Sequence, residues 1–310
     1  MGKIDIRVKN FIKVDTVFAQ LFSEGVFKGS IKIDPNKLQE LDSANQTMLK
    51  DLERLRDAQK IAMLFDDKLA FQVILGAEGQ AGVHYYMPVR CMELDALSYS
   101  GQCRRISEKA KEKKKLKKYA DGVPKGTKIV PTVTLVFYVG SKPWDEPKSV
   151  HDMLDIPEDM KEWAKVFIPD YQMHIIDARH LTEEEINRFE GDLKAFLLMI
   201  QENYNEEKLK NVVAMHRQTW YAIGAIKKDQ RYVEYIDKFS DEEMAGGVYM
   251  DAVLDRIEAR GEARGEARGE ARVNELGMKM AKAGRVNEFI QSLSDKELQN
   301  RLFVEFKIEI

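Results

Sequence analysis

Asp57, Glu78 and Gln80 are the residues of this chain best placed to do chemistry together, because the stretch that joins them reads as a β-hairpin. Residues 61–65 and 69–75 are apolar runs of strand length, and Asp66-Asp67 lies between them as a two-residue turn. A hairpin centred on that turn sets Asp57 near Gly76, diagonal to Glu78 and within side-chain reach of it. Glu78 and Gln80 are two apart, so they point to one face of an extended chain. Two carboxylates and an amide thus converge at one edge of a buried sheet. Gly76, Gly79 and Gly82 leave room there for another backbone or a ligand. Two carboxylates among oxygen neighbours suit a hard cation such as Mg²⁺, with Mn²⁺ as a substitute. The plainer alternative is a solvated acidic edge. Asp66 and Asp67 are turn residues at the closed end, roughly 30 Å from Glu78 at about 3.3 Å per residue.

The elements that must position these side chains follow from periodicity. Residues 15–24, with Val17, Phe18, Leu21 and Phe22 on one face, read as a short helix capped by Asp15. Residues 26–33 suggest a short strand before Asp34-Pro35. After the hairpin, a helical pattern runs from about Tyr85 to Tyr119, with Pro88 in its first turn. Residues 130–139 and 173–178 are β-rich apolar runs. Strand, long crossover helix, strand is the pattern of a mixed α/β sheet with helices on its faces. Residues 182–203 and 206–226 read as two helices, the first opening with Thr182 and Glu185 at capping-box spacing.

After Gly246-Gly247 the character changes. Residues 256–272, RIEARGEARGEARGEAR, repeat every four residues, which stacks like charges at i,i+4 and adds three glycines. Such a segment is a weak helix alone and needs a partner helix against its Ala/Gly stripe. Residues 273–283 and 285–306 read as two further short helices.

Composition sets limits. A chain of 310 residues, 44% apolar and 33% charged, has material for one large core or two smaller ones. A net charge of −3 makes no overall case for nucleic acid, so that case rests on local patches. Cys91 and Cys103 stand apart from any histidine or cysteine cluster, which argues against a zinc site or a disulfide framework. His174, His180 and His216 show no ligand spacing. The absence of a long apolar run and of an apolar signal core in MGKIDIRVKN leaves no membrane partner and makes the cytoplasm the expected compartment.

With Asp57 followed by Glu78-Gly79-Gln80 at the end of the next strand, the chain resembles the PD-(D/E)XK nucleases. It is most similar to the branch of transposase-like, recombination-promoting nucleases of Rpn type. "HYYMPVR" at 84–90, "VPTVTLVFYVGSKPW" at 130–144 and the Gly-Glu-Ala repeats carry the resemblance further, in the family's order, over most of residues 15–285. It implies a restriction-endonuclease-like core, a mixed central sheet flanked by helices, with a C-terminal helical extension. It divides the chain into a nuclease core at 1–180, a helical layer at 181–250, and a repeat segment with a small helical tail at 251–310.

For the site, the resemblance implies Asp57 and Glu78 as ligands of one Mg²⁺, and Asp57, Glu78 and Gln80 as the catalytic set. Gln80 stands where the signature usually has Lys. A glutamine orients water or bonds a phosphate oxygen but carries no charge. Gln20 falls where members of the branch often carry an acid, and Asp15 and Glu24 are nearby alternatives on the same helix. His84 and Arg90 are candidates to line the cleft, Arg90 on a phosphate. Residues 104–118 carry nine Lys/Arg against two Glu. Arg104, Arg105, Lys113, Lys114, Lys115, Lys117 and Lys118 are candidate contacts to a DNA backbone, or else the solvated end of a helix. The function implied is a Mg²⁺-dependent endodeoxyribonuclease linked to mobile elements, recombination or defence, with DNA as partner and a homo-oligomer formed through the repeat. Its rival is a DNA-binding or oligomerising protein that keeps the fold without catalysing.

Overall fold

The computed structural model describes residues 2–40, 57–66, 69–112, 122–202 and 206–308. They form two compact units, Met1–Asp251 and Ala252–Ile310.

The first unit is built on a five-stranded sheet in the order β1-β2-β3-β4-β5. β1 is Gln39–Glu40, β2 Ala58–Asp66, β3 Leu69–Gln80, β4 Thr132–Tyr138 and β5 His174–Asp177. β1, β2 and β3 pair antiparallel, whereas β3, β4 and β5 run parallel. A helix at Met87–Glu112 makes the crossover from β3 to β4. Its apolar side buries Met87 and Cys91 against Val136 and Tyr138. Polar contacts fix it further along: Ser98 meets Thr132 at 3.0 Å, and the Gln102 amide bonds the Val130 backbone in both directions. A mixed sheet flanked by helices, with a C-terminal helical stretch, is the restriction-endonuclease-like arrangement expected from the sequence.

The helix α1, Lys3–Ile12, has no counterpart in the sequence reading. It lies on β3 and on the helix Arg217–Lys227, with Val8, Phe11 and Ile12 fully buried. Phe11 stacks on Phe196 with ring centroids 4.3 Å apart. This packing explains Gly79, since a Cβ there would stand 2.9 Å from Val8 Cγ1.

Several expectations are corrected. In the ladder Asp66 pairs with Leu69, so it is a strand residue rather than part of the turn; Asp67 lies outside the described residues. The register pairs Ala58 with Ala77, which brings Asp57 opposite Glu78 instead of Gly76. Asp15 is the first helical residue of α2, Asp15–Gln20, and caps nothing; it takes the Lys60 ammonium at 2.6 Å. The same helix widens into a π-helical turn at Leu21–Val26. No strand follows at 26–33, because Lys28 and Gly29 adopt positive φ angles of 52° and 78°. The helix expected over 182–203 divides into Glu183–Ile186 and Gly191–Ile200, with Gly191 at φ 51°. Thr182 does form its capping box with Glu185. The helix expected over 206–226 is a 3₁₀ turn, a strand residue pair at Val213–Ala214, and then Arg217–Lys227. Asp192 causes the break: its carboxylate accepts the backbone N–H groups of Met215 and His216, the Thr219 hydroxyl and the His216 ring.

In the second unit the repeat lies within one continuous helix, Met250–Lys282. Its described side chains from 265 to 271 are exposed, and Gly265 and Gly269 have nothing within 4 Å of a built Cβ. Beyond it, residues 285–306 form two helices, Val286–Ser292 and Lys296–Glu305. The Asp295 side chain caps the second by accepting the Glu297 and Leu298 N–H groups. Leu276, Met280, Leu302 and Phe303 make the small core of this unit.

Candidate active site at the open end of the hairpin

The β2–β3 register and the close approach of α1 together build the site. Asp57 precedes β2 and turns its carboxylate inward, where Oδ2 accepts the Gly79 N–H at 2.9 Å. Its own N–H donates to Glu78 Oε1 at 3.2 Å. Each acid is therefore locked to the other's strand. Glu78 is 0% exposed and Asp57 8% exposed. Two cations approach from outside the hairpin. Lys9 of α1 lies 3.3 Å from Asp57 Oδ1, and Arg90 of the crossover helix lies 3.1 Å from Glu78 Oε2. Burial, and next the charge of Asp57, push Glu78 up to about 7, against the pull of Arg90.

A cleft of about 360 Å³ opens at Asp57, lined also by Asp5, Gln80, His84 and Arg90, with Gly79, Gly82 and Val83 between them, while Glu78 lies buried behind its lining. Gly82 faces open space, so part of the room predicted from the glycines is present. His84 sets its ring edge-on to Tyr86 with centroids 5.0 Å apart. Its Nδ1 is buried without a hydrogen-bond partner among the described residues.

Of the residues singled out in the sequence, Asp57, Glu78, Gln80, His84 and Arg90 come together. Arg104 and Arg105 lie on the same helix as Arg90 but 14 and 15 residues further on, which is roughly 20 Å along its axis. Arg104 is exposed, while Arg105 bonds back to the Gly101 carbonyl and burial pulls its pKa down. Lys113, Lys114, Lys115, Lys117 and Lys118 lie outside the described residues. Gln20 is committed elsewhere: its amide pairs with both the carbonyl and the N–H of Glu190. Glu24 holds Lys32 at 2.9 Å.

Two residues escaped the sequence reading, Asp5 and Lys9. Their signal is the i,i+4 spacing on the polar side of a helix whose other side carries Val8, Phe11 and Ile12.

The donor set fits one hard cation. It offers two buried carboxylates whose mutual repulsion a cation relieves, with remaining positions open to water or phosphate oxygen. No cluster of three His, Cys, Asp or Glu suited to a metal occurs among the described residues.

The open end of an antiparallel hairpin thus carries a buried acid pair, flanked by a lysine and an arginine, in an α/β protein of restriction-endonuclease-like fold. Residues 110–230 match the model of the family described as "Putative transposase, YhgA-like", one of the PD-(D/E)XK, Rpn-type transposase-like families. The match agrees with the resemblance carried by the hairpin and its flanking motifs, and it points to a role tied to mobile elements. It begins beyond Asp57, Glu78 and Arg90 and does not include them. No curated protein and no solved structure matches the chain. No helix among the described residues is long and apolar enough to cross a membrane.

Proposed function

We propose that this protein is a metal-dependent endodeoxyribonuclease that hydrolyses phosphodiester bonds in DNA, with a role in mobile elements, recombination or defence. The observation that carries this is the interlocked pair of buried carboxylates, Asp57 and Glu78, under a cleft rimmed by Arg90 and Gln80. Asp57 and Glu78 would hold Mg²⁺, or Mn²⁺ in its place. When bound, the ion supplies a water of lowered pKa and neutralises charge on the phosphate. The Gly79 N–H fixes the Asp57 carboxylate in orientation. Arg90, released from Glu78, presents a planar fork to a phosphate oxygen. The Gln80 amide, on the Glu78 face of β3, orients water or bonds a phosphate oxygen. Lys9 puts a positive charge beside Asp57, close to the charge that Gln80 does not carry.

Plasmid cleavage with Mg²⁺, Mn²⁺ or EDTA is the test. Asp57→Ala and Glu78→Ala should each abolish cleavage while the fold persists, because removing one member of a crowded acid pair relieves repulsion. Loss of activity together with a large fall in melting temperature would instead make the pair structural. A second reading, a DNA-binding or oligomerising protein without catalysis, is favoured by one observation. Lys9 and Arg90 already place a cation on each carboxylate. Mg²⁺ binding that depends on Glu78 separates the two. We further propose DNA as the partner, the cytoplasm as the compartment, and self-association through the repeat helix.

A further inference from the structure

A second cavity, of about 670 Å³, opens at the carboxyl end of β5, in the segment that follows Asp177. Open α/β sheets take their ligands beyond the carboxyl ends of parallel strands, and this cavity is large enough for a small organic molecule. Its charge is unbalanced. Arg179, Lys194, Lys208 and Lys210 line it against Glu183 and Glu202. Lys208 is taken by Glu183 at 2.6 Å, and Lys210 by Glu207 at 2.8 Å. Arg179 and Lys194 are both partly buried. Neither makes a side-chain hydrogen bond or ion pair among the described residues. Nε of Arg179 is moreover shielded from solvent without a partner, and a buried donor in that state is costly unless something fills the place. The positive field extends past the lining: Lys227 is pulled down first by burial and then by the charge of Arg179. Leu181, Ile186 and Leu198 supply an apolar wall.

We infer that this cavity binds a phosphate ester of nucleotide size, with Arg179 and Lys194 on the phosphate and the apolar wall against the base or sugar. A guanidinium offers phosphate a two-pronged contact and an ammonium adds a point charge. The phosphate can come from a free nucleotide or from a DNA strand. The register Gln80↔Tyr138 and Tyr138↔Asp177 puts β3 and β5 two strand spacings apart at this edge, about 10 Å. A strand lying over Asp57 and Glu78 is therefore within reach of the cavity.

The test uses the full chain in EDTA, so that its outcome is independent of cleavage. Calorimetry with inorganic phosphate, dAMP and a short 5′-phosphorylated oligonucleotide should show dAMP binding more tightly than phosphate. Arg179→Met with Lys194→Met should weaken dAMP by at least about tenfold at unchanged melting temperature. If the double variant unfolds, Lys194→Glu alone, on an outer helix position, should give the same direction of effect. Competition between dAMP and the oligonucleotide assigns the site to DNA, and dAMP binding without competition assigns it to a free nucleotide. Wild-type protein that binds neither dAMP nor the oligonucleotide, or variants that bind as wild type does, would overturn the inference. Failure of plasmid cleavage with dAMP binding intact would count against the nuclease reading alone.

Discussion

Glu78→Gln tests the acid pair by thermodynamics, before any cleavage is measured. Glu78 is fully buried, and its pKa stands at about 7 in the folded protein against an ordinary 4.5. The difference, 7 − 4.5 = 2.5 units, corresponds to about 3 kcal/mol at roughly 1.4 kcal/mol per unit. The sign follows from which state ionises first. Below pH 4.5 both folded and unfolded chains hold the proton, and the group costs nothing. Between pH 4.5 and 7 the unfolded chain ionises while the folded one does not, so stability falls as pH rises. Above 7 the penalty is complete. Glutamine has no such penalty, and the pull of Arg90 on the carboxylate is already contained in the value of about 7. Urea unfolding in EDTA should therefore show the variant close to wild type near pH 4.5 and about 3 kcal/mol more stable at pH 8. Added Mg²⁺ should then stabilise wild type and leave the variant unchanged, by the ordinary linkage of binding to folding. A variant whose stability relative to wild type does not change with pH, or falls as pH rises, would refute the reasoning.

Three further outcomes are expected. Lys9→Met should reduce cleavage while Mg²⁺ binding holds or strengthens, and Gln80→Lys in the same chain should restore cleavage, since either position places an ammonium beside the acids; titration calorimetry and plasmid assays read both arms. Asp192→Ala should destabilise the first unit by about 3 kcal/mol in urea unfolding, because it strips a buried carboxylate from four donors. Deleting residues 256–272 should lower the mass per particle in sedimentation and turn double-strand cutting into nicking, whereas equal mass in both proteins would leave the repeat as a linker.

The parts of the fold that were legible in the sequence are those where periodicity and burial agree. The β3–helix–β4 crossover is one: Leu75 and Val136 are fully buried in the sheet, and the helix between opens with an apolar stripe at Met87, Cys91 and Leu94. The hairpin was legible as a pair of strands but not in its register. Asp66-Asp67 looks like a turn dipeptide, yet the ladder continues through Asp66, and that one-position shift sets Asp57 opposite Glu78 rather than diagonal to it. What local pattern cannot supply is a partner distant in sequence. The Asp192 carboxylate interrupts an otherwise helical run at 206–226 by collecting the donors of Met215, His216 and Thr219. Gln20 stands where the branch often has an acid, and its side-chain amide pairs with the backbone of Glu190, 170 residues away.

The same limit bears on how Gln80 is weighed. Read along β3 alone, a glutamine in the signature's lysine position is a lost charge, and the loss argues for an inactive relative. Read in three dimensions, the charge is still at the acid pair, on a helix nearly seventy residues earlier in the chain. Lys9 reaches Asp57 because Gly79 lets α1 sit down on β3, so the same glycine that separates Glu78 from Gln80 also admits the lysine. A bulkier residue at 79 would push the helix away and take Lys9 with it. The three-residue motif at 78–80 and the helix at 3–12 are thus one device, and neither can be judged for activity without the other.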